Sequence, residues 1–170
     1  MNGHPGGAEH TRRMLALSGL KPPAAILDMG AGAGETVCLL RAEGFDTVGL
    51  DKAPRSDIVL AGDLLHTDFA GGSFDAVISQ CAFFVSGDVP AALREAHRLL
   101  KPGGVLLLSD VFFEDPLPLL TRAGFTVSDD EDLTALWREY YIEALWRGTA
   151  DCCEIPRGKC RYRMLIGRKE

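Results

Sequence analysis

The chain predicts an α/β domain: a doubly wound, mainly parallel sheet of seven strands with helices on both faces. Two observations carry this expectation. Short apolar strands alternate with helical stretches through most of the 170 residues, and the first strand runs straight into a glycine-rich turn, Gly30, Gly32 and Gly34, that opens a helix. No repeat, low-complexity tract or Pro/Gly-rich linker divides the chain, so residues 25–170 read as one domain preceded by an arm and helix over 1–24.

The elements follow in order. Over 8–19, Ala8, Met14, Leu15, Ala16 and Leu17 sit among charged neighbours until Gly19 and the Pro22-Pro23 pair stop a helix. A first strand at 25–29 ends in Asp28 and Met29, and a helix over 36–43 is closed by Gly44. Strands at 47–50 and 57–60 lead into Asp51 and into Gly62-Asp63, and an apolar run at 74–79 is a fourth strand. Asp88 caps a helix in which Val89, Ala92, Leu93, Ala96, Leu99 and Leu100 recur at helical spacing. The Lys101-Pro102-Gly103-Gly104 break ends it, and 105–109 is the most apolar strand. A short helix at 117–123, a strand at 125–128, a helix over 133–147 with a broad apolar face and a final strand at 159–166 complete the set.

Composition excludes several classes. With 46% apolar and 25% charged residues the chain is ordinary for a globular protein and far from disorder. The most membranous stretch, 76–87, is interrupted by Ser79, Gln80 and Ser86 and falls short of the ~20 residues a span needs. The first residues lack a basic region followed by an apolar core, so the expected address is cytoplasmic. Five cysteines without a CxxC spacing argue against a disulfide framework or structural zinc, and His4, His10, His66 and His97 form no ligand pair, so no metal is expected. A net charge of −6 disfavours nucleic acid and points to a small-molecule partner.

The segment from Ile26 to Thr36 carries the chemistry. Its glycines let the backbone approach a ligand, and the helix behind them presents free N–H groups. The spacing is GxGxG; Glu35 stands where a dinucleotide fingerprint has its third glycine, which weighs against a nicotinamide oxidoreductase. LDMGAGAGET, the acidic residue of VGLDKAP, AGDLLHTDFAGGSFDAVIS and LLKPGGVLLLSDV stand in the order found in class I S-adenosylmethionine-dependent methyltransferases. The chain resembles that family over roughly 25–127, and within it is most similar to the branch acting on small molecules, which includes ubiquinone and arsenite methyltransferases.

The resemblance implies a Rossmann-like sheet with an antiparallel last strand, S-adenosyl-L-methionine as cofactor and a small-molecule methyl acceptor. It also implies site residues. Asp51 would accept the ribose hydroxyls, Asp63 the adenine amino group with Leu64 against the ring, and Asp28 would order the loop around the cofactor amino group. Gly30 and Gly32 would contribute by lacking side chains, and Ser79 and Gln80 would line the methionine moiety and methyl exit. No general base stands out. Two alternatives remain open: a non-catalytic S-adenosylmethionine-binding sensor or scaffold, and a metalloid methyltransferase using Cys152, Cys153 and Cys160. The HPGGAEHTRR arm reads as a lid with Thr11 or Arg12 at the substrate, or as a frayed terminus. Since the core pattern begins at Ala25, residues 1–12 are expected to be dispensable for folding. Tyr140 and Tyr141 read as gatekeepers or as a core pair, and the basic final segment more as a solvated strand face than as a phosphate groove.

Overall fold

Strands covered on both faces need near-continuous apolar runs. β1 (Ala25–Met29), β4 (Phe74–Gln80) and β5 (Leu100–Phe112) are such runs, and they occupy the middle of the sheet. The computed structural model describes residues 3–148 and 158–170. Outside the central strands lie β2 (Asp46–Asp51) and β3 (Val59–Ala61) on one side, and β6 (Phe125–Asp132) and β7 (Arg161–Lys169) on the other. The order is β3-β2-β1-β4-β5-β7-β6, parallel except that β7 runs against both β5 and β6. Connections run outward in opposite directions from β1 and β4. Their carboxyl ends, Met29 and Gln80, therefore open a crevice at the switch point.

Each face buries its own core. α3 (Val89–Leu99) and α4 (Leu117–Arg122) press Leu93, Ala96, Leu99 and Leu120 onto Val77, Leu106 and Phe125. Asp88 accepts the Ala91 N–H at 2.9 Å and so starts α3 where the sequence places it. On the opposite face α1 (Gly7–Ser18) and α2 (Glu35–Ala42) contribute Met14, Leu15 and Leu40 against Ile26, Ile78, Leu107 and Ile166. α5 (Thr134–Trp146) buries Trp137 beside Val111 and Tyr162.

Three sequence expectations change. β5 begins at Leu100, because Leu100 pairs with Phe74 and Val105 with Ala76, and the residues between, with Gly103 at φ 74°, are absorbed as a register shift. β6 continues to Asp132 because its acidic residues meet the basic ones of β7: Arg163 forms a two-pronged pair with Asp130, and Arg161 lies 3.6 Å from Asp132. With Arg168 donating to Ser18 O and Lys169 to His97 O and Leu100 O, much of the basic segment is engaged within the domain. The dispensable arm is corrected too: His10, Thr11 and Met14 are buried, so α1 belongs to the core from its first turns.

A buried carboxylate away from the crevice ties α3 to the loop before β4. Glu95 accepts the Thr67 N–H at 2.9 Å, the Thr67 hydroxyl at 2.8 Å and the Arg98 guanidinium at 2.7 Å. Burial would raise its pKa, but the Arg98 and Thr67 donors outweigh it and hold the group at about 2 rather than 4.5. A folded-state pKa below the unfolded one gives stability that is complete above pH 4.5 and lost as pH falls toward 2. Urea titrations should therefore show Glu95→Gln less stable than the parent at neutral pH, with the gap narrowing on acidification; a gap independent of pH would refute this.

Candidate functional site

The crevice takes its shape from the loop after β1. Gly30 and Ala31 donate their N–H groups to Leu50 O at 2.8 and 3.0 Å, which folds the loop over the end of β2. Gly30 has φ 90°, and a Cβ there would overlap the Ala82 methyl, so only glycine lets the loop come this close to the segment after β4. Asp51 holds the loop from the other side, accepting the Gly32 N–H at 2.8 Å on one oxygen and the Ala53 N–H at 2.9 Å on the other.

Asp28, Gly30, Gly32, Asp51, Asp63, Leu64 and Gln80 line one cavity of about 360 Å³. Asp28 is 3% exposed, and its carboxylate accepts no hydrogen bond from the described residues. Burial, with Asp51 nearby, pushes it up to about 7. Asp63 accepts the Leu65 N–H at 2.9 Å and has Lys52 at 3.6 Å, and these hold it below the usual carboxylate range. Gln80 Oε1 accepts from Thr36 at 3.2 Å and from Thr11 at 3.4 Å. Ser79 stands apart from the cavity wall: it is fully buried and donates to Met29 O at 2.8 Å, fastening β4 to β1 just beneath Gln80.

Several wall residues escaped sequence reasoning. Gly3 and His4 reach the cavity from the chain start, with His4 Nδ1 3.2 Å from Gln80 Nε2 and His4 Nε2 3.2 Å from Thr11 Oγ1. Nothing local in the sequence signals a contact across 76 positions. Burial lowers the His4 pKa, and it lowers that of His10, behind it, to about 4; His10 Nε2 lies 2.6 Å from Ser109 Oγ. Cys81, directly after Gln80, lines the wall at φ 61°, and its thiol donates to Tyr162 Oη at 3.4 Å. Burial pushes that thiol up to about 12, which keeps it protonated. Buried Asp110 accepts the Phe84 N–H at 3.1 Å and the Val111 N–H at 2.7 Å, and so shapes the turn after Cys81.

Of the arm residues, Thr11 faces Gln80, whereas Arg12 is exposed and pairs with Glu43 at 2.6 Å, away from the cavity. Tyr140 and Tyr141 pack edge to face with ring centroids 5.5 Å apart. Tyr141 packs on Trp137 with ring centroids 5.2 Å apart, while Tyr140 is near enough to Cys81 and Glu35 that both, after burial, raise its pKa. Cys160 is buried beside Tyr162; Cys152 and Cys153 lie outside the described residues. No described helix is long and apolar enough to cross a membrane.

Comparison with known proteins agrees with this geometry. Residues 27–108 match the family model described as a methyltransferase domain. The chain is 32% identical to a demethylmenaquinone methyltransferase of Thermus thermophilus over 64% of this chain and 63% of that protein. It is 52% identical over 50 residues, 29% of this chain and 14% of the relative, to an arsenite methyltransferase of Aquipseudomonas alcaligenes. The chain thus spans less than two thirds of the length of these curated relatives. The fold matches the crystal structure of a putative sarcosine dimethylglycine methyltransferase from Galdieria sulphuraria with TM-score 0.74 and 22% identity, over 95% of this chain and 84% of that one. The sheet with its reversed β7 and the crevice at the switch point define a doubly wound α/β fold. Over residues 27–108 the chain thus matches a methyltransferase-domain family, and its four ordered motifs resemble those of the class I S-adenosylmethionine-dependent methyltransferases.

The raised pKa of Asp28 has a thermodynamic consequence. The folded apoprotein binds this proton more tightly than the unfolded chain, so stability is lost as pH rises through about 7. Ligand-free Asp28→Asn should melt above the parent at a pH beyond 7, and this advantage should vanish on acidification toward 3.8. Thermal melts that differ by a constant amount across that range would disprove it.

Proposed function

We propose that this chain binds S-adenosylmethionine in the cavity at the switch point and transfers its methyl group to a small-molecule acceptor. The observation that carries the reading is Asp28, a buried carboxylate without a protein donor, facing a cavity that Asp51 and Asp63 also line. An uncompensated buried carboxylate is costly unless a ligand supplies the missing donor, and the cofactor's ammonium is such a donor. The residues fit the group. Asp51 would accept the ribose hydroxyls through the lone pairs its two backbone contacts leave open, and Asp63 would accept the adenine amino group with Leu64 against the ring. Gly30 and Gly32 would keep the loop close, and Gln80 would face the methyl exit, held by Ser79 beneath it.

When bound, the cofactor supplies a methyl group made electrophilic by its sulfonium. The protein's share is then to hold the acceptor in line and exclude water. Thr11, Thr36, His4 and Gln80 form a hydrogen-bonded closure over that end of the cavity, with the neutral His4 ring contributing no charge. The relatives' names, which span arsenite and demethylmenaquinone, support a small acceptor.

Isothermal titration should show binding of S-adenosylmethionine and S-adenosylhomocysteine but not NAD. Asp51→Ala should weaken that binding by roughly 1.5–3 kcal/mol, the range for a hydrogen bond to a charged group. Consumption of labelled S-adenosylmethionine with small-molecule extracts tests turnover; binding without S-adenosylhomocysteine formation across varied acceptors would instead favour a sensor. Removing residues 1–6 should leave the fold intact, since the buried helix face begins at His10, yet slow turnover by opening the wall at Gly3 and His4. Unchanged steady-state rates would show that the arm is no lid.

A further inference from the structure

The carboxylates that line the cavity are not equally provided for. Asp51 gives one oxygen to the Gly32 N–H and the other to the Ala53 N–H, and Asp63 has the Leu65 N–H and Lys52. Glu35, in the first turn of α2, is exposed to water. Asp28 is both buried and without a donor among the described residues. The reason lies in its surroundings. Its partners across the sheet, Gly49 of β2 and Ile78 of β4, carry no polar side chain, and the loop after β1 aims its N–H groups elsewhere, Gly30 and Ala31 at Leu50 O and Gly32 at Asp51. The charged groups described around the cavity do not make up the lack: Lys52 faces Asp63, Arg55 lays its guanidinium over Gly32, and burial lowers the pKa of His4. A carboxylate so placed has a proton as its only partner in the ligand-free protein, and burial, then Asp51, push its pKa up to about 7.

We infer that Asp28 exchanges its proton for the ammonium of the entering ligand, so that binding releases a proton from the cavity and the preference for an ammonium-bearing nucleoside grows as pH rises through neutrality. This rests on the reading of the cavity as the S-adenosylmethionine site and adds what controls its occupancy. The O–H bond of the Asp28 carboxylic acid breaks, its electron pair stays on the carboxylate, and the proton passes to water. The ammonium keeps its own protons and donates one of them as a hydrogen bond. Burial opposes ionisation, and an ammonium reverses the balance by bringing an opposite charge and a donor together. A ligand with the nucleoside but no ammonium brings neither, and leaves the proton in place. Proton and ammonium therefore compete for one carboxylate, and the apparent affinity falls with the fraction of Asp28 that is ionised. Acidification loosens the cofactor and its demethylated product alike, since both carry the ammonium.

Calorimetric titration of S-adenosylhomocysteine in buffers of different ionisation enthalpy reads the proton directly. About half a proton should leave per ligand at pH 7, as for a group that ionises at about 7. Between pH 6 and pH 7.5 the affinity should rise by about fivefold to tenfold, following the ionised fraction. 5′-Methylthioadenosine, which keeps the nucleoside and a thioether but has no ammonium, should bind without proton release and with an affinity that stays level over the same range. Asp28→Asn should bind S-adenosylhomocysteine more weakly at pH 7.5, release no proton and lose the pH dependence. The inference is overturned if S-adenosylhomocysteine binds without releasing a proton, if its affinity is flat with pH, if methylthioadenosine releases as much, or if the release persists in Asp28→Asn, which would assign the proton to another group. All but the last are read on the parent protein, so a variant that fails to fold leaves the inference open to refutation. Failure of the parent to bind S-adenosylhomocysteine in any buffer would instead sink the reading of the cavity as the cofactor site.

Discussion

The Asp51 carboxylate, gripping the Gly32 amide across the ends of β1 and β2, is the contact on which the rest of the site depends. A charged acceptor strengthens a backbone hydrogen bond, and here the bond joins a loop that has few side chains of its own to anchor it. With Asp51 in place the loop turns back over Leu50, Gly30 comes against Ala82, and the walls contributed by β1, β2 and β4 close on one volume. The same carboxylate acts on its neighbour: burial, and after it the nearby Asp51, push Asp28 up to about 7. One residue therefore both builds the cavity and keeps a second one poised for a cationic group.

Such poise costs stability, and the surrounding fold offsets it. The strands that carry Asp28 and Gln80 are apolar on both faces, and two separate cores, one under α3 and α4 and one under α1 and α2, clamp them. Polar residues near the crevice that face away from it are satisfied locally: Ser79 by Met29 O, Asp110 by the backbone after Cys81, Ser109 by His10. The unsatisfied carboxylate faces the cavity at the switch point, as expected of a group kept for a ligand rather than for structure.

The sheet and the cavity residues at its strand ends were legible because they are written locally. Alternating apolar runs set β1, β4 and β5, a capping Asp88 set α3, and acidic residues closing β2 and opening the turn after β3 lie within a few positions of their strands. Where boundaries moved, a long-range term had overridden local composition. The Pro102-Gly103-Gly104 break survives inside β5 because the neighbouring strand absorbs a register shift, and β6 lengthens because its acids meet the arginines of a strand about thirty residues away. Ser79 shows the same limit on a smaller scale, since alternation along β4 turns Gln80 to the crevice and Ser79 into the sheet.

The cavity wall beyond Gln80 was illegible for a different reason. It is assembled from parts with no motif of their own: a histidine at the chain start, a glutamate in the first turn of α2 and a cysteine at positive φ after β4. Each is unremarkable in its own stretch of sequence, and only the sheet's switch point brings them to one place. A fold that shapes the cavity through strand ends, and leaves its far wall to the chain start, can change that wall without disturbing the loop that Asp51 holds. The chemistry common to the family is therefore carried by short-range sequence, and the chemistry particular to this chain by contacts that only the folded molecule makes.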